Sequence, residues 1–170
     1  MKKIMAVLVL AILPMIAGCG GGGGSSQPMP TAATLKLSSQ GAMPAGKAVS
    51  GVTVTIELPA GATAKSTGGV VDATVVVGSA LMATTGTAPV GSMGPVNYTP
   101  ATATAKAKLD FTIASTAVAG VAVGEYATIT LILSGVNPAV TDFNVTSFKA
   151  YDMSFAEITA LTPKLALTVN

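Results

Sequence analysis

The sequence predicts an all-β fold, an antiparallel β-sandwich of two sheets. Threonine, valine and alanine dominate the chain after its N-terminal segment, and glycine or proline recurs every several residues, which is typical of many short strands separated by turns. Several segments alternate apolar and polar residues, so each predicted strand has one apolar face. Two such sheets bury their apolar faces against each other. The alternative is a fibrous, amyloid-like chain, and the short strands bounded by proline argue against it.

The chain begins with a segment that is typical of a signal peptide. Lys2 and Lys3 form a short basic patch, and the residues from 4 to 17 are apolar and interrupted only by Pro14. A membrane-spanning helix needs about 20 apolar residues, and this segment is shorter. We therefore expect a signal peptide over residues 1–18 and no permanent membrane helix.

Ile16-Ala17-Gly18-Cys19 resembles the lipobox of bacterial lipoproteins, although Leu is usual where this sequence has Ile16. In that family the cysteine is acylated and becomes the first residue of the mature chain. The resemblance implies a diacylglyceryl thioether and an amide-linked acyl chain, of the palmitate class, on Cys19, and two or more acyl chains make a stable anchor. It also implies that Gly20, which replaces an Asp retention signal, directs the protein to the outer membrane where the organism has one. The alternative is an ordinary cleavable signal peptide that contains a cysteine.

Residues 19–32 are expected to form a flexible tether. The run GGGGGSSQPMP has nothing to bury, and its glycine-rich part behaves as a random coil that Pro28 and Pro30 stiffen at the end. Residues 33–170 have the size of one domain and can bury a core. After the signal peptide, lysines balance acidic residues and arginine is absent. This neutral domain has no electrostatic footprint for nucleic acid.

The strands are predicted from alternating faces. The clearest covers residues 52–58, where Pro59 ends the pairing. A longer strand is predicted over residues 103–113, with small apolar residues in its first half. In residues 125–133, Ile132 breaks the alternation, which predicts a central strand that is covered on both faces. The other strand candidates are residues 34–38, 70–77, 144–151 and 164–169.

Residues 78–100 contain two methionines, three prolines and several glycines before the long predicted strand. Loops of this length are often functional or disordered. We expect either a crossover with one short strand near residues 96–98 or a binding loop.

The segment VGEYATITLIL, residues 123–133, resembles the start of a central strand in cohesin-type domains. NYTPATATAKAKLDFTI before it, FNVTSFKAYDMSFAEIT after it and GVTVTIELPAGATAK near the start of the domain fit other strands of that family. The resemblance covers most of residues 34–170. It implies a jelly-roll sandwich that binds another protein module, typically a dockerin, and that has carbohydrate-binding relatives.

The residue types argue against catalysis. The chain has no histidine, and its single cysteine is assigned to acylation, so Ser-His-Asp, Cys-His and histidine-based metal sites are excluded. Ser147 and Lys149 share a strand face but lack the wider context of Ser-Lys enzymes, and a solvated strand surface explains them. No pair of carboxylates is singled out for glycoside hydrolysis. We expect no catalytic residue.

The candidate binding residues are few. Aromatic platforms for sugars would have to use Tyr98, Tyr126 or Tyr151, because the chain has no tryptophan. The phenylalanines Phe111, Phe143, Phe148 and Phe155 are expected to fill the core.

Calcium binds several carboxylate and carbonyl oxygens, and the nearest approach to such a set is Asp142, Asn144 and Asp152. Turn formation explains Asp142 equally well. We therefore expect no resident cofactor besides the lipid on Cys19, with calcium as the open alternative.

Two functions stay open at this stage. The first is a lipid-anchored, non-catalytic binding module of the cell envelope that holds a dockerin-like protein or a polysaccharide partner. The second is a structural envelope lipoprotein with no defined ligand.

Overall fold

A computed structural model describes residues 28–79, 91–117, 120–121 and 123–170. The predicted signal peptide, Cys19 and most of the predicted tether lie outside these residues. The described residues form strands, turns and short 3-10 segments, among them Val140–Asp142, and they contain no α-helix. Within these ranges no helix has the length and apolar character needed to cross a membrane.

The described residues form long strands separated by short strands and turns. In order they are β1 (Ala32–Gln40), β2 (Val49–Leu58), β3 (Ala62–Thr63), β4 (Ser66–Thr67), β5 (Val70–Val71), β6 (Val76–Val77), β7 (Gly91–Met93), β8 (Asn97–Thr99), β9 (Ala107–Ser115), β10 (Glu125–Leu133), β11 (Asn144–Asp152) and β12 (Thr162–Val169).

The two sheets are antiparallel and pack face to face. The first sheet has the order β12-β1-β10-β3, and β6 also pairs with β10. The second sheet has the order β11-β2-β9-β7, and β8 also pairs with β9. β4 and β5 form a separate hairpin. The predicted all-β sandwich is therefore confirmed, whereas the jelly-roll connectivity implied by the cohesin resemblance stays a prediction.

The core consists of the inward faces of the long strands. In β2 every second residue from Val52 to Leu58 is at most 1% exposed, as the alternation predicts. Leu35 of β1 and Ile129 of β10 lie opposite each other in the first sheet, and both are completely buried. Full burial of a side chain of this size stabilises a fold by about 1.5–3 kcal/mol. The sandwich therefore derives its stability from the period-two pattern.

The prediction of a strand over residues 103–113 is wrong for its first half. β9 begins only at Ala107, and the residues before it form a turn. The Thr102 hydroxyl accepts a hydrogen bond from the Ala105 N–H at 3.1 Å, and the Thr102 N–H donates to the Ala105 carbonyl at 2.9 Å. Threonine side chains compete with strand pairing through such local hydrogen bonds.

The strand predicted over residues 70–77 is interrupted. β5 and β6 are separated by a turn in which the Asp72 carboxylate accepts hydrogen bonds from the Thr74 N–H at 2.9 Å and the Thr74 hydroxyl at 2.8 Å. This pattern is an Asx turn. In the 78–100 segment, residues 80–90 lie outside the described residues, and the short strand predicted near 96–98 is found as β8.

The prediction that β10 is covered on both faces is wrong. β10 has neighbours on both sides in the sheet, but Ile132 is 44% exposed. The outward face of an antiparallel sheet faces water. Ile132 lies on that face, between Ala32 and Thr63.

Strand ends define two poles of the sandwich. At the N-terminal pole, Ala32 lies beside Ile132 of β10, Leu133 pairs with Ala62, and the turn after β2 connects the two sheets. At the opposite pole, which we call the Phe155 pole, Val49 at the start of β2 pairs with Asp152 at the end of β11. The predicted tether therefore joins the sandwich at the pole opposite the turn that follows Asp152.

Candidate binding site

A cleft at the N-terminal pole contains one of the predicted tyrosines. The cleft has a volume of about 540 Å³ and lies between the turn after β2 and residues 100–107, with Tyr98 in its wall. Burial raises the pKa of Tyr98, and a hydrogen bond with the backbone of Ala64 partly opposes this rise. The Tyr98 hydroxyl is therefore neutral and available only as a hydrogen-bonding group at physiological pH.

Asp142 and Asn144 lie close to this cleft. They line a second depression that shares Pro59, Ala60 and Lys106 with the first. The Asp142 carboxylate accepts a hydrogen bond from the Ala139 N–H at 2.8 Å within the 3-10 turn. Turn formation, the alternative explanation for Asp142 in the sequence, thus has a direct structural basis.

Asp152 is not brought together with Asp142 and Asn144. It lies at the other end of β11, which at the usual strand rise is about 26 Å from Asn144. Among the described residues no group of three or more Asp, Glu, His or Cys side chains is arranged to hold a metal ion.

Tyr126 is a core residue, so its assignment as a surface contact is wrong. Its side chain is completely buried, and its ring stacks on Phe148 with centroids 6.4 Å apart. The Ser39 hydroxyl donates to the Tyr126 hydroxyl oxygen at 3.0 Å. Burial raises the pKa of Tyr126, and this hydrogen bond partly opposes the rise. Its hydroxyl satisfies a buried serine and does not face a ligand.

The remaining sequence candidates lie along β11. Tyr151 is half-buried, and its backbone bridges to Glu157. Ser147 and Lys149 lie opposite Thr55 and Thr53 of β2. The three predicted tyrosines are therefore in different environments and do not form one aromatic platform.

Asp152 organises a tight turn at the Phe155 pole. Its side chain is 4% exposed although it is charged. One carboxylate oxygen accepts hydrogen bonds from the Ser154 N–H at 2.8 Å, the Ser154 hydroxyl at 2.6 Å and the Ala156 N–H at 3.0 Å. The other oxygen is paired with the Lys47 ammonium group. The Lys47 contact, followed by that of Ser154, holds the pKa of Asp152 well below its usual range.

The backbone closes the same turn. The Phe155 N–H donates to the Asp152 carbonyl at 2.9 Å, and the Asp152 N–H donates to the Ala156 carbonyl at 2.9 Å. Both the side chain and the backbone of Asp152 therefore fix residues 153–156. We call these residues, with Asp152, the Phe155 turn.

Phe155 is displayed at the tip of this turn, so its predicted place in the core is wrong. Its side chain is 85% exposed, and Met153 beside it is 46% exposed. Among the described residues Phe155 is the one non-glycine residue with a positive φ, 62°. Such a backbone conformation costs a non-glycine residue about 1–3 kcal/mol and persists only where its surroundings impose it. Here the hydrogen bonds of Asp152 impose it.

A comparison with protein-family models, with curated proteins and with solved structures finds no match for this chain. The resemblances to bacterial lipoproteins and to cohesin-type domains therefore stay predictions from the sequence.

The Phe155 turn was missed because hydrophobicity alone places a phenylalanine in the core. The sequence does carry a signal for it, since Asp152 and Ser154 at spacing two follow a strand, and aspartate in this position favours a turn. The partner of that aspartate, Lys47, is 105 residues away in the chain, and no local pattern points to it. The turn could be predicted in this way, but its rigidity could not.

Proposed function

We propose that this chain is a lipid-anchored, non-catalytic binding module of the cell envelope, and that it holds a protein partner through the Phe155 turn. The observation that carries the proposal is the exposed Phe155 ring on a turn that is fixed by a buried carboxylate. Single exposed apolar residues are common on protein surfaces. A bulky aromatic residue in a strained and rigid backbone conformation is not, and such strain clusters at functional sites.

The chemistry of the turn favours an apolar pocket as the receptor. Aromatic side chains dominate interface energetics because they bury a large area with few rotatable bonds. A turn that is already rigid loses little further entropy when it binds. Met153 enlarges the apolar tip and adapts to irregular pockets. Phe155 and Met153 together form an apolar tip, which suits an apolar cleft on another protein.

The position of the turn supports a partner that approaches from outside the membrane. The predicted tether from Cys19 to the sandwich would span about 20 Å as a flexible coil, and it joins the N-terminal pole. β11 adds about 26 Å between that pole and the Phe155 turn. An anchor on Cys19, in the outer membrane where one exists, would therefore leave the Phe155 pole free to bind. The cohesin resemblance supports a protein module such as a dockerin as the partner.

The test is site-specific photo-crosslinking in intact cells of the native host. A benzoylphenylalanine is placed at position 155, and the matched control carries it at Val70, which is 72% exposed on the β4–β5 hairpin. We expect a discrete adduct from position 155 that protease digestion removes and that is absent from position 70.

Two other outcomes contradict parts of the proposal. An adduct that resists protease but is degraded by glycosidases would identify a polysaccharide partner in place of a protein. Equal and diffuse labelling from both positions would leave the structural envelope lipoprotein as the better explanation.

A further inference from the structure

The four edges of the two sheets differ in how well they are protected against pairing with another strand. Natural proteins protect edges by very short strands, bulges, charges or proline. Among the described strands, β3 and β6 at one edge of the first sheet have two residues each, and β7 and β8 at one edge of the second sheet have three each. These two edges are too short to template a long partner strand.

The two long edges are β11 and β12, and only β11 is irregular. The pairing of β11 with β2 shifts register at two places, between Val145 and Ser147 and between Tyr151 and Asp152. The pairing of β12 with β1 runs without a shift from Thr162 to Val169. Lys164 is the single charged residue of β12, and Pro163 protects only its beginning. β12 is therefore a long, regular and nearly uncharged edge.

Residues along β12 alternate between those that hydrogen-bond to β1 and those whose backbone groups face outward. Asn170 and Ala32 exchange hydrogen bonds at 2.9 and 3.2 Å, so Asn170 and every second residue before it direct their backbone groups towards β1. Leu165, Leu167 and Val169 direct theirs away from β1. Within the described ranges no backbone hydrogen bond from a loop or turn reaches these three residues.

The same three residues leave the core open at this edge. Their side chains share the inward face with Ala33, Leu35 and Leu37 of β1. Val169 is nevertheless 38% exposed, and Leu165 and Leu167 are only half-buried. A further strand beside β12 would cover these side chains and satisfy the outward backbone groups together.

We infer that β12 pairs with β12 of a second copy of this chain, antiparallel and centred on Leu167, so that the first sheets of two copies become one continuous sheet. This register is self-complementary, because Leu165 then lies opposite Val169 of the other copy and all the outward N–H groups of these residues find carbonyl partners. A register shifted towards Pro163 loses a donor, since proline has no N–H. The two Lys164 side chains fall at opposite ends of the interface, which avoids repulsion between like charges. The pairing is independent of the proposed function of the Phe155 turn.

The register is tested with two variants of the full chain, Ala166→Cys and Thr168→Cys. Disulfide crosslinking is measured between one copy of each variant. Both positions are exposed, and each lies opposite the other across the proposed interface. Their Cα atoms would be about 4.5 Å apart, within the range of an unstrained disulfide. Identical positions are diagonal neighbours at about 7–8 Å, too far for such a bond.

We expect co-expressed Ala166→Cys and Thr168→Cys chains to form a disulfide-linked dimer after treatment of the cells with a mild oxidant, at several times the level that either variant gives alone. The parent chain, whose only thiol is Cys19, sets the background. Crosslinking of the mixture at the level of the single variants would overturn the proposed pairing.

A second comparison separates loss of pairing from loss of folding. Val169→Pro removes one outward N–H and leaves the hydrogen bonds between β12 and β1 intact, because those come from the alternate residues. Val169→Ala shortens the same side chain and keeps the N–H. We expect Val169→Pro to lower the mixed crosslinking at least severalfold relative to Val169→Ala, while both chains resist proteolysis equally. Equal crosslinking in the two variants would contradict pairing through the β12 edge.

Discussion

Two isoleucines of β10 provide a matched test of the sandwich. Ile129 is completely buried between Leu35 and Val76, whereas Ile132, three residues later on the same strand, is 44% exposed. Replacing either by alanine removes the same atoms and loses the same strand propensity. The difference between Ile129→Ala and Ile132→Ala therefore measures burial alone.

The expected magnitudes follow from the carbon atoms removed. Ile129→Ala loses three buried carbons, which at about 0.8 kcal/mol each, plus roughly 1 kcal/mol for the cavity, amounts to a destabilisation of about 3.5 kcal/mol. Ile132→Ala loses about half of the transfer contribution and leaves no cavity, which amounts to about 1 kcal/mol. For a domain of about 140 residues, 1 kcal/mol shifts the melting temperature by about 3 °C.

The assay is thermal unfolding of both variants followed by far-ultraviolet circular dichroism. We expect the melting temperature to fall by about 10–12 °C for Ile129→Ala and by about 3 °C for Ile132→Ala. Equal shifts, or a larger shift for Ile132→Ala, would show that the two faces of β10 are assigned the wrong way round and would refute the sandwich packing described above.

Three further predictions concern the anchor and the Phe155 turn. Cys19→Ser should release the protein from membranes on fractionation, because the proposed acyl chains would have no attachment point; retention in the detergent-extracted lipoprotein fraction would contradict the anchor. The folded-state pKa of Asp152 lies below its usual range, so the unfolded chain takes up this proton first as the pH falls. The stabilisation that Asp152 provides should therefore be complete above about pH 5 and decline as the pH falls further. The stability of Asp152→Asn should depend less on pH in this range, and an equal dependence would mean that the Lys47 pair does not contribute. Phe155→Gly should leave the melting temperature unchanged or raise it. Relief of about 1–3 kcal/mol of backbone strain is at least as large as the entropic cost of glycine in the unfolded chain, which is about 1 kcal/mol or less. A clear fall in melting temperature would mean that Phe155 packs in the fold.

The sequence predicts the long strands well, for a physical reason. In residues 52–58 large apolar side chains alternate with polar ones. A shift of the strand by one residue would therefore expose the whole apolar set. In residues 103–106 the alternation is between alanine and polar residues, and burial of alanine provides little free energy to hold a strand. The hydrogen bonds of Thr102 then decide the local structure. A regular pattern of small residues is thus a weaker predictor than its periodicity suggests.

The candidate site could be predicted only in part, because its properties depend on contacts between distant segments. An exposed and a buried phenylalanine look alike in the sequence, and the difference for Phe155 arises from the backbone after β11. The carboxylate of Asp152 marks it in the sequence as a candidate calcium ligand, but in the structure its oxygens accept hydrogen bonds from N–H groups of its own turn and contact the ammonium group of Lys47. Chain topology alone brings Lys47 to this turn.

The Phe155 turn contains one residue that stabilises the fold, Asp152, and one that is exposed to solvent, Phe155. Substitutions at the two positions can therefore test stability and binding separately. Asp152 ties the turn to Lys47 and to its own backbone, so its loss should lower stability and also release the ring from its fixed orientation. Phe155 contributes little to the core, since most of its side chain is in water. Replacing it should therefore cost no stability, and under the proposed function it should abolish binding. A protein that kept Phe155 for folding would show the opposite result. Comparing the melting temperatures of the Asp152 and Phe155 variants, and the amount of partner that co-purifies with each, therefore distinguishes a displayed binding residue from an accidental one.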